Sequence, residues 1–403
     1  MIRRLEIENF YSIREPQVID LTIGAGVAEG EERFGRLLDR KSGPLVPRTV
    51  VIFGANASGK STVLKALGFL GWFLTSSWEL SPAASLPIER FADGNEQPTR
   101  IKVCFDWIGD LSVSDAIGPR TEQYTYELIV GTAPGYRSAV LYEELRLQPD
   151  AGKSRRLFER DADGNVQGGS GFSMKGAGRF LSSLRPNVSA TATMAKNTGR
   201  SPISGLYSWA KSIQSNIPIA GEPQGESRAI QYYVENGTEI LPLNSALGRL
   251  DTGIQYMNIL STAEGPRPVF THYGLNISLP LGAESEGTRQ FFRIYPILWE
   301  ALRTGGMAVV DELDSAIHPM IMPSILRWFY DQSVNAWPAQ LWMCGHNASV
   351  FEDLRKEEIF LTEKDGDGRT RLYGLKDIEG VRRVDNFYQK YLGGVYGAVP
   401  RIG

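Results

Sequence analysis

The 403-residue sequence predicts an α/β protein, and three patterns carry that prediction. Residues 49–53, TVVIF, are β-branched and wholly apolar, as a strand buried on both faces of a sheet must be. A glycine-rich turn follows, and then an apolar run from Ser61 to about Ser76 (STVLKALGFLGWFLTS) that reads as a helix. The same alternation of strand and helix returns in the last third of the chain.

In chain order, residues 2–10 alternate apolar and polar positions (Ile2, Leu5 and Ile7 apolar, Glu6 and Glu8 polar), the pattern of a half-buried strand. Residues 99–108, 122–130 and 139–147 alternate as well, with turn residues between them, and predict an antiparallel meander. From about 162 to 204 the chain is rich in Gly, Ser, Asn and Thr, so a loop-rich insertion is expected. A helical patch around 205–235 places Leu206, Trp209, Ala210 and Ile213 at helical spacing. Further on, a helix is expected from Thr288 to Arg303 and a strand over 307–310. Another helix follows from Met320 to about Gln332, and strands are expected at 341–344, 358–361 and 370–374. No heptads and no internal repeat are visible.

Composition removes several function classes. A 42% hydrophobic and 22% charged chain is an ordinary globular one, and its net charge of −3 advertises no global affinity for nucleic acid or membrane. Two cysteines, Cys104 and Cys344, exclude a disulfide framework, and three histidines make a histidine-based metal centre an unpromising expectation. The start, MIRRLEIENF, lacks the apolar core of a signal peptide, and no run is long and apolar enough to span a bilayer. The expected location is cytoplasmic, with no membrane partner.

The sharpest signal is Gly54-Ala55-Asn56-Ala57-Ser58-Gly59-Lys60-Ser61, followed by Thr62, which fits G-x-x-x-x-G-K-[ST] without a gap. Glycines let such a loop wrap, so that backbone N–H groups from Asn56 through Thr62 converge on phosphates at a helix N-terminus. Lys60 brings a point charge to the β and γ oxygens, and the Ser61 hydroxyl completes a Mg²⁺ shell. The apolar strand before and the helix after supply the context the motif requires.

A second signal is the apolar strand Met307–Val310 ending in Asp311 and Glu312. In phosphoryl-transfer sites the first acid holds Mg²⁺, and the second stands where a general base orients the attacking water. His346 ends another apolar strand, at about 35 residues beyond the acid pair. A third, weaker signal is Glu284-Ser285-Glu286-Gly287-Thr288 at the start of a helix. Ser285, Gly287 and the free N–H groups of a helix N-terminus make an anion site, although Ser285 or Thr288 also suits an ordinary cap.

Taken in order, GANASGKST, ESEGT, VVDELDSAIHP and GHN resemble the ABC-type ATPases of the overcoming-lysogenisation-defect and abortive-infection group, distant relatives of the SMC and double-strand-break-repair ATPases. IENFYSI, Phe158-Glu159-Arg160 and the ending Tyr396-Gly397-Ala398-Val399-Pro400 extend the resemblance to roughly 1–160 and 270–403, towards stand-alone members. The resemblance implies an ABC head: a P-loop α/β lobe, an antiparallel β lobe and an insertion. Residues 1–160 would form its N-terminal half, 161–270 the partly helical, loop-rich insertion, and 271–403 its C-terminal half.

It also implies two ATP–Mg²⁺ sandwiched in a homodimer or higher oligomer. Lys60, Ser61, Asp311, Glu312 and the switch histidine His346 would come from one chain, and Ser285 and Gly287 from the other. Residues 313–319 match the loop that crosses to the partner. Two residues depart from the common pattern: Glu286 stands where transporters place a glycine, and His318 replaces the usual aspartate. A Q-loop glutamine is not assigned; Gln97 and Gln123 are candidates by order only.

The function expected on this resemblance is a sensor or regulatory ATPase of an antiphage defence system with a separate effector protein, a nuclease or toxin. The short acidic stretch EKDGDGR reads as a hairpin turn, which supports the absence of a built-in nuclease. The alternative is a repair-type DNA-binding ATPase, kept open by Lys153, Arg155, Arg156, Arg382 and Arg383 but lacking heptads. A transporter subunit would carry an LSGGQ-like sequence, and a scaffold that binds ATP without turnover would not need Glu312.

Overall fold

A computed structural model describes residues 1–24, 31–36, 44–93, 96–108, 121–149, 153–169, 178–181, 184–197, 203–219, 225–249, 253–315, 317 and 319–400. Two large sheets organise them. The six-stranded sheet runs in the order Ile213–Ser215, Met307–Val310, Gln340–Cys344, Thr49–Gly54, Ile359–Lys364, Thr370–Gly374. Its first five strands are parallel, and the last returns antiparallel through the hairpin that EKDGDGR predicts. Asp365 closes that hairpin by accepting the N–H groups of Asp367 and Arg369.

The apolar run at 49–53 follows from what lies on either side of this sheet. Val50, Ile52, Val309, Trp342 and Cys344 face one core, built with the helix Lys60–Ser76. Val51, Phe53, Val310, Leu341 and Met343 face a second core, packed by the helices Glu286–Thr304 and Met322–Tyr330. A strand with a core on each face buries both sets of side chains, which explains why the run from Val50 to Phe53 is continuously apolar.

The seven-stranded sheet is antiparallel throughout, in the order Val166–Gly168, Arg155–Arg160, Tyr136–Gln148, Thr121–Ala133, Thr99–Ile108, Ile2–Glu8, Gln17–Asp20. Its inner face shares the first core, so the helix Lys60–Ser76 is buried on nearly every side. That is why this helix is apolar all round and not striped. Buried Gln340 ties the two sheets together: it accepts from Ile2 N–H (2.9 Å) and donates to the Pro47 carbonyl (2.9 Å).

The middle of the chain holds more regular structure than its composition predicts. Within the expected loop lies a helix, Ala190–Asn197, whose first turn is capped by Ser189 Oγ. The helical patch divides into Ser204–Lys211 and Gly225–Glu235, with the edge strand Ile213–Ser215 between them. An unforeseen three-stranded antiparallel sheet follows: Ile254–Thr262, Gly265–His272 and Ser278–Pro280. The helix expected from Met320 starts as a 3₁₀ turn, Pro319–Ile321, and a short helix, Phe387–Leu392, lies near the C-terminus. Among the described residues no helix is long and apolar enough to cross a membrane.

Candidate active site

The C-terminal ends of the strands Thr49–Gly54, Met307–Val310 and Gln340–Cys344 deliver three segments to one cleft of about 690 Å³. Asn56, Ala57, Gly59, Lys60, Ser61 and Thr62 line it from the loop, and Glu312 and His346 face them. The geometry thus brings together residues that are hundreds of positions apart in sequence. Parallel neighbours in a sheet end on the same side, and loops beyond the carboxyl ends of strands form the crevice.

The glycine loop has little freedom to be anything else. Gly59 sits at φ +105, and a Cβ there would lie 2.2 Å from Thr370 Oγ1. Gly54 is equally crowded, with the Thr362 carbonyl 2.2 Å from where a Cβ would stand. Ala57 adopts φ +62, a left-handed value unusual for a residue with a Cβ. Hydroxyls tie the loop from behind. Ser58 Oγ meets Thr362 Oγ1 at 2.7 Å, and Thr370 Oγ1 donates to the Ser58 carbonyl at 2.8 Å.

Lys60 is 5% exposed, and its ammonium donates to the carbonyls of Gly54 (2.9 Å) and Ala55 (3.0 Å). Burial pulls its pKa below the usual lysine value, while the nearby acids Asp311, Glu312 and Asp314 oppose that shift. A buried cation with only neutral carbonyl partners is matched to an arriving anion.

Asp311 and Glu312 differ sharply. Asp311 Oδ1 is buried and has no hydrogen-bond partner among the described residues. Glu312 is exposed, adopts φ +53, and places Oε1 3.9 Å from His346 Nε2. Such a left-handed value costs a non-glycine residue about 1–2 kcal/mol, and conformations of this kind gather at functional sites. Asp314 Oδ2 accepts the N–H groups of His346 (2.8 Å) and Asn347 (2.6 Å), so one buried carboxylate fixes the histidine loop to the acid segment.

Ser285 and Gly287 stand elsewhere. Ser285 caps the helix Glu286–Thr304, its Oγ accepting from Thr288 N–H at 3.1 Å, and neither residue lines the cleft. Glu286 pairs with Arg289 and Arg293, so its charge is taken up on its own helix. His318 lies outside the described residues. Gln123 sits in the meander, donating to Cys104 Sγ, and neither it nor Gln97 lines the cleft.

Sequence reasoning missed Ser12 and Ser315, which also line the cleft. Ser12 Oγ lies 3.0 Å from Thr62 Oγ1 and 2.8 Å from Thr370 Oγ1. It rides on a turn in which Asn9 and Tyr11 both have positive φ, and the run IENFYSI is the one local hint of it. Asn216, which holds the Asp311 backbone, left no local signal at all.

Residues 50–120 and 203–341, together just over half of the chain, match the family described as "AAA domain, putative AbiEii toxin, Type IV TA system". The chain belongs to this family of AAA-type ATPase domains. No curated protein matches it in sequence. Among solved structures, this AAA protein is similar to the SMC head domain from Thermotoga maritima, at 13% identity and TM-score 0.38, over 93% of this chain and 98% of that one. It is likewise similar to an SMC head bound to the C-terminal winged-helix domain of ScpA, at 13% identity and TM-score 0.45, over 92% of this chain and 96% of that one.

Proposed function

We propose that two copies of this AAA protein close around two ATP molecules and hydrolyse them, and that the cycle serves as the sensor or regulatory step of a bacterial abortive-infection type defence with a separate effector. One observation carries the reading. A single cleft gathers a phosphate loop, the acid Glu312 and the histidine His346, with Asp311 next to Glu312 in the chain, while the helix terminus that begins with Ser285 stands outside it. The free N–H groups of such a terminus favour an anion, and a second chain's γ-phosphate fits it.

In this reading Lys60 exchanges its two carbonyl partners for β and γ oxygens, and backbone N–H groups from Asn56 to Thr62 hold the remaining phosphate charge. Ser61 Oγ and the unpartnered Asp311 Oδ1 fit a hard divalent cation that also takes phosphate oxygens, so they are the groups that would hold Mg²⁺. When bound, Mg²⁺ neutralises charge on the β and γ phosphates. Glu312 accepts a proton from the water that attacks the γ-phosphorus, the bond to the bridging oxygen breaks, and ADP and phosphate leave. His346 and the partner's signature turn steady the γ-phosphate.

The family description supports the defence setting, since it names a toxin–antitoxin system. A nucleic-acid role has less support. Arg383 is engaged by Glu31 and Glu357, and Arg156 pairs with Glu159, so these cations are neutralised locally.

The test is to purify the Glu312→Gln chain from its native host in ATP and Mg²⁺, weigh it, and identify what co-elutes. The expected result is retained nucleotide, turnover lowered about 100-fold or more, a mass doubled by ATP, and a stoichiometric protein partner. Hydrolysis at the parental rate would remove Glu312 as the base. A monomer at all concentrations would sink the sandwich, and nucleic acid without a protein partner would put the DNA reading first.

A further inference from the structure

Among the described residues, the edge strand Ile213–Ser215 pairs only with Met307–Val310. One position past its end, Asn216 continues the ladder. Its backbone N–H donates to the Val309 carbonyl at 3.3 Å. Its side chain then takes over the role of a strand. Asp311 N–H donates to Asn216 Oδ1 at 2.8 Å, and Asn216 Nδ2 donates to the Asp311 carbonyl at 3.0 Å. A carboxamide offers one acceptor and a donor in a fixed plane, which satisfies both halves of a backbone residue. Aspartate could only accept, and serine is too short to reach both groups.

The atoms gripped matter. The Asp311 N–H belongs to the peptide entering Asp311, and the Asp311 carbonyl to the peptide joining it to Glu312. Holding both planes fixes the backbone that aims the Asp311 carboxylate. It also fixes one side of the φ torsion at Glu312, which sits at +53. Beyond Glu312 the chain is held again, since Ser315 Oγ donates to the Glu312 carbonyl at 3.0 Å. The strained residue is thus clamped on both flanks, and a left-handed residue persists only where its surroundings over-determine it.

We propose that Asn216 is a positioning residue for hydrolysis, holding the Asp311–Glu312 peptide so that one acid faces the metal position and the other the attacking water. The inference rests on the reading of Asp311 and Glu312 given above. Asn216 does not line the cleft, so its removal should spare nucleotide binding.

In the full-length Asn216→Ala chain, ATP affinity should stay within about twofold of the parent, while kcat per nucleotide-binding site falls on the order of 10- to 100-fold. A merely structural role would lower the thermal midpoint and the number of binding sites but leave kcat per site unchanged. The near-isosteric Asn216→Asp chain keeps the acceptor and loses the donor, and its kcat should fall as well. If the alanine chain does not fold, the aspartate chain decides by the same criterion. Parental kcat per site in a folded variant overturns the inference and leaves the ATPase reading standing. A parent chain that binds no ATP, or binds it without turnover, overturns both.

Discussion

The cleft and the serine–glycine terminus, the two places proposed to hold phosphate, are built to opposite standards. Around the cleft, the key segments are held by residues distant in sequence: the glycine loop by Thr370 through the Ser58 carbonyl, the histidine loop by Asp314, and the Asp311 backbone by Asn216. At the terminus, the Ser285 hydroxyl is held by its own helix, meeting the Thr288 N–H and, at 2.9 Å, the Thr288 hydroxyl. The contrast teaches that the first device is finished within one chain. The second has the polar groups of a helix N-terminus but, among the described residues, does not line the cleft, which is what a site shared between two copies would require.

The comparison can be broken most directly by mixing. Lys60→Ala should lower ATP affinity by roughly 100-fold or more, since two or more charged contacts of about 1.5–3 kcal/mol each are lost. Ser285→Arg should bind ATP as the parent does and yet fail to turn it over. Combined, the two inactive chains should recover about a quarter of parental turnover, because about half of the dimers are mixed and each carries one intact site. If the mixture stays inactive while both variants fold, the shared-site reading fails.

Stability offers a finer probe of the same difference. Asp314→Ala leaves the N–H groups of His346 and Asn347 without an acceptor and should cost about 2–4 kcal/mol in chemical denaturation. Ser285→Ala removes a single cap and should cost only about 1 kcal/mol. Equal losses would mean that the terminus is as firmly built as the cleft. The smallest effect concerns Cys344, fully buried beside Asp311, whose thiol is pushed well above its usual range by burial and then by that carboxylate. It should resist a thiol reagent in the native protein and react fully on unfolding. Rapid native labelling would show that the strand end beneath the acids opens readily.

What was legible in the sequence divides along the same line. The phosphate loop, the acid pair and His346 are short contiguous patterns, each at the end of an apolar strand, and their meeting follows once those strands are parallel neighbours. The buried runs and the meander were legible because their periods repeat over several residues. Ile213–Ser215 was not, since three residues hold no period and the helices around it dominate any window. Ala190–Asn197 was hidden by the Gly-, Ser-, Asn- and Thr-rich run around it, which reads as loop until Ser189 and buried Glu143 are seen holding its first turn. Asn216 and Ser12 act through partners 95 and 358 positions away, and no local pattern encodes a contact of that span.

The hydroxyl contacts behind the glycine loop carry one more consequence. Ser12, Thr362 and Thr370 belong to three separate segments, and each reaches the loop or its first helical turn. The loop's backbone freedom is therefore surrendered when the chain folds, before any phosphate arrives. Ordering a loop on binding subtracts from affinity, and a loop ordered beforehand is spared that subtraction. Pre-organisation of this kind makes the affinity for nucleotide depend on residues outside the phosphate-loop motif, including a serine near one end of the chain and a threonine near the other.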